Sequence, residues 1–287
     1  MGRLDLYTTT SERTASLVIR EYSTSFGLAS RILSSDSRQH IDNIYALVRL
    51  ADEVVDGVAV EAGLAPTAVH HALDELERET YAAMASGYST NLIVHAFAHT
   101  ARAVGITKDI VEPFYTSMRM DLSDRVYTQE SFEAYVYGSA EVVGLMCLAV
   151  FVRENKPSAA DAHILVAGAR ALGAAFQKVN FLRDLAADVD GLGRSYFPGV
   201  NIATFDEADK KRLCDDIDVD LDHAFATLPL LPLDARRAVA LAHGLFARLN
   251  SAIRATPAET LKSTRIRVSD VTKFVIAARI MLSTRGH

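Results

Sequence analysis

The chain has 287 residues, 49% of them hydrophobic, and a formal net charge of −6. This supplies apolar material for a sizeable core, and the acidic balance argues against a nucleic-acid binder, which carries a basic patch or stripe. Cys147 and Cys214 lie far apart in no metal-binding pattern and read as reduced thiols of a cytosolic protein.

The opening MGRLDLYTTTSER has no apolar core and does not read as a secretory signal. Leu6 stands where a myristoylation site after Gly2 wants Ser or Thr. Apolar residues then recur at helical spacing over 9–33. In RQHIDNIYALVRLADEVVDG they fall at Ile41, Ile44, Tyr45, Leu47, Val48, Leu50, Ala51, Val54 and Val55, the pattern of a helix buried on more than one side. Comparable patterns cover 66–85, 89–104, 107–123, 129–153, 158–190, 206–228, 232–255 and 269–284. Breaks coincide with Gly57, Gly63, Pro66, Gly87, Gly105, Pro157, the 191–199 stretch, Pro232 and Pro257. Strand-like alternation survives only near Ser195 to Phe197. The longest uninterrupted apolar run, Val142 to Val152, lies between Glu141 and Arg153. It is shorter than the about 20 residues a bilayer span needs and reads as a buried helix segment. The expectation is one all-α domain over 1–287, with roughly ten helices and no repeat or linker.

Two acidic rows interrupt this pattern. Asp52 and Asp56 lie four apart, so they share a helix face, with Glu53 between them. Like charges at that spacing destabilise a helix by about 0.2–0.5 kcal/mol per pair. Asp52 has Arg49 in reach, whereas Asp56 has no basic residue three or four positions away. A solvated acidic helix end would explain this row alone. Asp184 and Asp188 repeat the spacing, and Gln177, Asn180, Asp184 and Asp188 run down one face of an otherwise apolar helix. Polar residues along a buried stripe need partners. Two such rows suggest a shared cavity holding hard divalent cations, which prefer oxygen ligands, with a diphosphate bound through them. Arg49, Arg183 and Arg194 would add bidentate contacts to phosphate.

These residues resemble a known family. YALVRLADEVVD, Tyr45 to Asp56, is similar to the first aspartate-rich motif of the squalene/phytoene synthases, head-to-head trans-prenyltransferases of the isoprenoid synthase fold. QKVNFLRDLAAD, Gln177 to Asp188, followed by GRSYFP, Gly193 to Pro198, is similar to the second. YSTSF, Tyr22 to Phe26, and YVYGSAEVVGLM, Tyr135 to Met146, resemble two further segments, and RIRVSDVTK, with Arg265 and Lys273, resembles the basic segment near the diphosphates. Glu141 departs from the pattern, standing where the family has Gly, and places a carboxylate near an apolar pocket wall.

The resemblance implies an all-α helical bundle with a central cavity, in which two prenyl diphosphates join through a cyclopropyl diphosphate intermediate. It implies Asp52, Asp56, Asn180, Asp184 and Asp188 as ligands of Mg²⁺, with Mn²⁺ as a substitute, and Glu53 as a ligand or a shaper of the field. Arg49, Arg183 and Arg194 would bind diphosphate, and Tyr22, Ser23, Ser25, Tyr45, Gln177 and Tyr196 match substrate-site positions. Helix capping competes for Ser23 and Ser25, and packing with a satisfied hydroxyl competes for Tyr45 and Tyr196. Small residues in Val142 to Val152 and in Ala171 to Phe176 would leave room for prenyl tails, or serve ordinary helix contact.

The sequence looks most like bacterial phytoene synthases of carotenoid pathways, acting on geranylgeranyl diphosphate. Squalene synthase on farnesyl diphosphate, which needs NADPH, and dehydrosqualene synthase, which does not, are the alternatives in the class. An inactive all-α partner subunit is the alternative outside it. Greasy substrates suggest a cytoplasmic protein in transient contact with the inner membrane surface. No pattern sets an oligomeric state. Other signals are discounted. His95 and His99 lack the Glu of a zinc protease motif. Gly191 to Gly193 is no dinucleotide fingerprint. The acidic run Asp215 to Asp222 lacks the Gly and Glu of a Ca²⁺ loop and reads as a solvated helix terminus, as Lys210 to Arg212 reads as a solvated face.

Overall fold

The structure is a computed structural model and describes residues 2–123, 126–185 and 196–283. Helices α1 (Arg3–Tyr22), α2 (Ser25–Ser30), α3 (Ser35–Val55), α4 (Val58–Glu61), α5 (Pro66–Ser86), α6 (Leu92–Val104) and α7 (Lys108–Ser123) form its first part. Then follow α8 (Gln129–Val136), a π-turn (Tyr137–Glu141), α9 (Val142–Phe151) and α10 (Ala159–Arg183). Helices α11 (Glu207–Thr227), α12 (Leu233–Ala255), α13 (Ala258–Leu261) and α14 (Asp270–Ser283) complete it. No strand forms among the described residues, including Tyr196 and Phe197, where alternation had suggested one.

Helix ends follow local chemistry. Ser34 caps α3 and Asn91 caps α6, each side chain accepting from backbone N–H groups of the first turn. Gly57 takes φ 116° just past the end of α3, a conformation that side chains resist. The helix expected over 9–33 is two helices. Ser23 adopts an extended conformation at the end of α1, and its Oγ accepts from Phe26 N at 3.1 Å, which starts α2. Periodicity passes over such a joint because the apolar spacing resumes beyond it.

One large apolar cluster joins α3, α5, α6, α7 and α9 around Phe97, Phe114, Tyr115 and Leu47. A second joins α8, α10, α11 and α12 around Tyr135, Phe181, Tyr196 and Ile217. The segment Gln129–Phe151 is long and apolar enough to cross a membrane by length and composition. Here it packs between α3, α7 and α10, as a core segment does.

The described residues correct several expectations. Glu141 does not face an apolar pocket; its carboxylate accepts from Arg170 Nε at 2.6 Å, on the outer side of α10. The acidic run 215–222 sits in the body of α11, where Arg254 reaches Asp215 and Asp218, and Lys178 reaches Asp216 and Asp220. Lys210 is buried rather than solvated, with Nζ bonded to Thr256 O and Glu207. His95 bonds Thr8 at 2.9 Å and His99 pairs with Glu12 at 3.2 Å, so both tie α6 to α1.

Candidate active site

A cavity of about 720 Å³ runs through the middle of the bundle, walled by α3, α7, α9, α10 and α12. One end carries Tyr45, Arg49, Asp52, Asp56, Asp121, Gln177, Asn180, Arg183, Asp184 and Arg265. Most of the remaining lining is apolar, with Leu33, Phe151, Leu165, Leu228 and Leu231 belonging to one hydrophobic cluster. Asp52 and Asp56 of the first row and Asp184 of the second therefore line one space, and Asp188 lies outside the described residues.

Their placement is electrostatically costly. Asp52 lies in the last turn of α3 and Asp56 is its C-cap, while Asp184 is the C-cap of α10. A helix C-terminus carries about −0.5 of an elementary charge and favours cations, not carboxylates. Burial pushes the Asp52 carboxyl up to about 8; Asp56 and Asp121 add repulsion, and Arg49 opposes it.

The cations nearby are already engaged. Arg49 pairs with Glu53. The Arg49 guanidinium also lies 4.6 Å from the Tyr22 ring centroid, a cation–π contact. Arg183 Nε donates to both oxygens of Asp184, at 3.1 and 3.2 Å. Arg265 Nε stands 2.7 Å from Asp184 Oδ1, so two guanidiniums hold one carboxylate.

The remaining expected residues divide. Tyr22 ends α1 beside the cavity, with its side chain largely exposed, and Tyr45 is half-buried in the wall, its phenol raised by burial. Ser23 lines the cavity, and its Oγ accepts from Phe26 N in the first turn of α2. Ser25 opens α2, and its side chain lies outside the described residues. Gln177 and Asn180 line the cavity from α10. Tyr196 is buried, stacked on Phe181 at 3.9 Å between centroids, and its hydroxyl donates to Asp121 at 3.1 Å. Packing and a satisfied hydroxyl account for it, although it also touches the cavity. Asp188 and Arg194 lie outside the described residues.

Asp121 is the residue that motif reasoning missed. It is buried, and it accepts from Tyr135 at 2.8 Å as well as from Tyr196. A signal existed, since Asp121 falls on the helical face of Val111, Phe114, Tyr115 and Met118, where a buried carboxylate needs hydrogen-bonding partners.

The donors fit a hard divalent cation. They are oxygens, they include a desolvated carboxylate with a raised pKa, and they sit at two helix C-termini that lack a free cation among the described residues. Among the described residues no three His, Cys, Asp or Glu side chains close into a ready cage. The second carboxylate of the α10 row, Asp188, falls outside them.

With this geometry the chain belongs to the squalene/phytoene synthase family, whose model matches residues 19–272. The chain is 32% identical over 185 residues to phytoene synthase 3, chloroplastic, of Zea mays, an overlap of 63% of this chain and 41% of that protein. It is 31% identical over 194 residues to the 15-cis-phytoene synthase of a Paracoccus species, covering 65% of this chain and 59% of that one. The chain thus spans about half the length of the curated relatives it matches. The fold matches a dehydrosqualene synthase crystal structure with a TM-score of 0.80, at 22% identity over 98% of both chains. It also matches a squalene synthase from Alicyclobacillus acidocaldarius with a TM-score of 0.73, at 20% identity over 87% of this chain and 95% of that one.

Proposed function

We propose that the chain acts as a single all-α synthase domain that condenses two molecules of geranylgeranyl diphosphate head to head into phytoene, releasing diphosphate. The observation that carries this is the convergence of Asp52, Asp56, Asn180 and Asp184 on one end of a cavity whose other end is apolar. The phytoene synthase names of relatives at 31–32% identity support the longer substrate.

Asp52, Asp56, Asn180 and Asp184 would hold Mg²⁺ or Mn²⁺, with Asp188 completing the second motif. When bound, the metal supplies Lewis-acid neutralisation of the departing diphosphate. The chain's own cations add to this. A diphosphate beside Asp184 competes with it for Arg183 and Arg265, because phosphate accepts the same bidentate hydrogen bonds. Arg49, held against the Tyr22 ring, presents a further charge at the same end.

Once the donor diphosphate leaves, the allylic cation meets the acceptor's C2–C3 double bond. A carbon–carbon bond forms, a proton departs, and a cyclopropane closes as prephytoene diphosphate; a second ionisation releases the remaining diphosphate, and rearrangement with loss of a second proton gives phytoene. The walls keep water from these cations. Phe26, Phe176 and Phe246 line the cavity as a cluster, with Phe176 and Phe246 stacked at 3.8 Å. Their ring faces stabilise positive charge without offering a nucleophile. Tyr135 and Tyr196 keep their hydroxyl protons directed at Asp121. The greasy substrate and product support a cytoplasmic protein that touches the inner membrane surface.

Incubation with Mg²⁺ and either farnesyl or geranylgeranyl diphosphate, with and without NADPH, tests the reading by product mass. Phytoene from geranylgeranyl diphosphate without NADPH is expected. Turnover of farnesyl diphosphate instead, to squalene with NADPH or to dehydrosqualene without it, would replace it. No diphosphate release from either substrate would leave a partner subunit.

A further inference from the structure

A second concavity, of about 760 Å³, adjoins the first and shares Ile19, Ser23, Thr24 and Ser30 with it as a common wall. It lies between the α1–α2 joint, the start of α3 and the last helix, α14. Its charge runs against that of the whole chain. Arg20, Arg31, Arg38 and Lys273 face only two carboxylates, Asp42 and Asp270, in a protein of net charge −6. Lys273 is engaged by Asp270 at 3.1 Å and Thr24 at 3.2 Å. Arg20 pairs with Glu21 at 3.5 Å, and Arg38 acts on the Asp42 carboxyl through its charge, but among the described residues neither Arg31 nor Arg38 forms a direct salt bridge.

Asp42 narrows the chemistry. It is 5% exposed, its Oδ2 accepts from Ser16 at 2.7 Å, and its buried Oδ1 has no partner. A buried acceptor of this kind calls for a donor. A ligand that fits carries phosphate for the arginines and a hydroxyl for Asp42. A prenyl diphosphate or free pyrophosphate offers acceptors alone, so neither answers Asp42. The rim adds a third requirement. Val271 and Phe274 on α14 are each 75% exposed, Val275 is exposed beside them, and Phe274 also lines the groove. Exposed apolar side chains flanked by cations are the pattern of a helix that lies in a lipid interface.

We propose that this groove binds the headgroup of an anionic glycerophospholipid, with its phosphate on Arg31 and Arg38, a headgroup hydroxyl on Asp42, and Val271, Phe274 and Val275 in the acyl boundary. A soluble hydroxylated phosphate satisfies the charges but leaves the apolar rim in water. The inference gives the membrane contact of the previous section a site and a lipid class. It involves no catalytic step.

Flotation of the full chain with vesicles, without substrate, tests it independently of prenyl transfer. The protein is expected to float with vesicles containing phosphatidylglycerol and not with phosphatidylcholine alone, and to lose binding as salt screens the arginines. Replacing Arg31→Gln with Arg38→Gln weakens partitioning about thirtyfold, and Phe274→Ser weakens it further. Asp42→Asn removes a preference for phosphatidylglycerol over phosphatidic acid, which lacks the headgroup hydroxyls. Arg31→Gln alone, at an exposed position, keeps the test valid if the double variant misfolds. Unchanged turnover of detergent-dispersed substrate confirms an intact fold. Equal binding to both vesicle types, unchanged flotation of the arginine variants, or binding of soluble glycerol phosphate without flotation would each overturn the proposal.

Discussion

Arg265 and Asp184, 81 residues apart in the chain, are joined by an Nε–Oδ1 contact of 2.7 Å at the polar end of the cavity. Asp184 is thereby shared between Arg265 and its neighbour Arg183. Arg265 is about half exposed, so the contact contributes little to folding, on the order of 1 kcal/mol or less. Under the proposed function, its value would lie in the charge it brings to a departing diphosphate. Arg265→Ala is therefore expected to lower the rate of diphosphate release about 100-fold, with the thermal midpoint almost unmoved. Arg265→Lys should recover only part of the rate, because an ammonium lacks the planar fork. Wild-type turnover in Arg265→Ala would reduce the contact to a surface pairing.

Asp52 predicts a pH signature of the metal-free protein. Its folded pKa, about 8, lies above the ordinary 3.8. The folded state thus holds the proton more tightly than the unfolded state does. The resulting stabilisation is full below about pH 4, declines as pH rises, and is gone above about pH 8. With chelator present, the thermal midpoint of the wild type should fall more steeply between pH 5 and 8 than that of Asp52→Asn. Added Mg²⁺ should raise the high-pH end of the wild-type curve alone. Parallel curves for the two proteins would show that Asp52 is not desolvated as the geometry implies.

How much of this was legible in the sequence differs from residue to residue. Asp52 and Asp56 were legible because helical spacing alone puts them on one face at the end of α3, whereas α10 ends at Arg183, short of the 190 that periodicity suggested, so Asp184 is its C-cap and Asp188 lies outside the described residues. The break at Ser23 was not, since a single side-chain hydrogen bond decides it and leaves the apolar rhythm intact. Nor was the π-turn at Tyr137–Glu141, which inserts one extra residue per turn without altering composition. It turns Glu141 toward Arg170, and no linear pattern links those two. Lys210 shows the same limit, because its burial depends on Thr256, which only the fold brings near. Asp121 was readable by helical face but belonged to no motif.

The Asp121 hub makes a stability prediction. Tyr196 lies nearly parallel to Phe181, at 11°, while its hydroxyl donates to the buried carboxylate. Tyr196→Phe keeps the stack and removes one hydrogen bond to a charged group, a loss of about 1.5–3 kcal/mol. Tyr196→Ala also empties the ring's volume and should cost about 3–5 kcal/mol. Urea melts of the two variants read the difference directly. Equal losses would mean that the hydroxyl carries the whole effect and the ring's packing is incidental; no loss in Tyr196→Phe would mean the reverse.

Two glycines give opposite expectations for the same substitution. A Cβ on Gly173 would stand 2.5 Å from Ala140 O and 2.9 Å from Glu141 Cα, both backbone atoms of the π-turn. Those atoms cannot yield without moving α10 from α9, at a place where both helices wall the cavity. Gly173→Ala should destabilise by about 1–3 kcal/mol and reduce turnover by narrowing the chamber. A Cβ on Gly27 in α2 meets only Ile19 O at 3.7 Å, an ordinary contact. Gly27→Ala should therefore be neutral or stabilise by up to about 1 kcal/mol, through the entropy that a helical glycine loses on folding. Denaturant midpoints of the pair separate the two mechanisms. If both variants shifted the same way, helix propensity rather than close backbone approach would govern position 173.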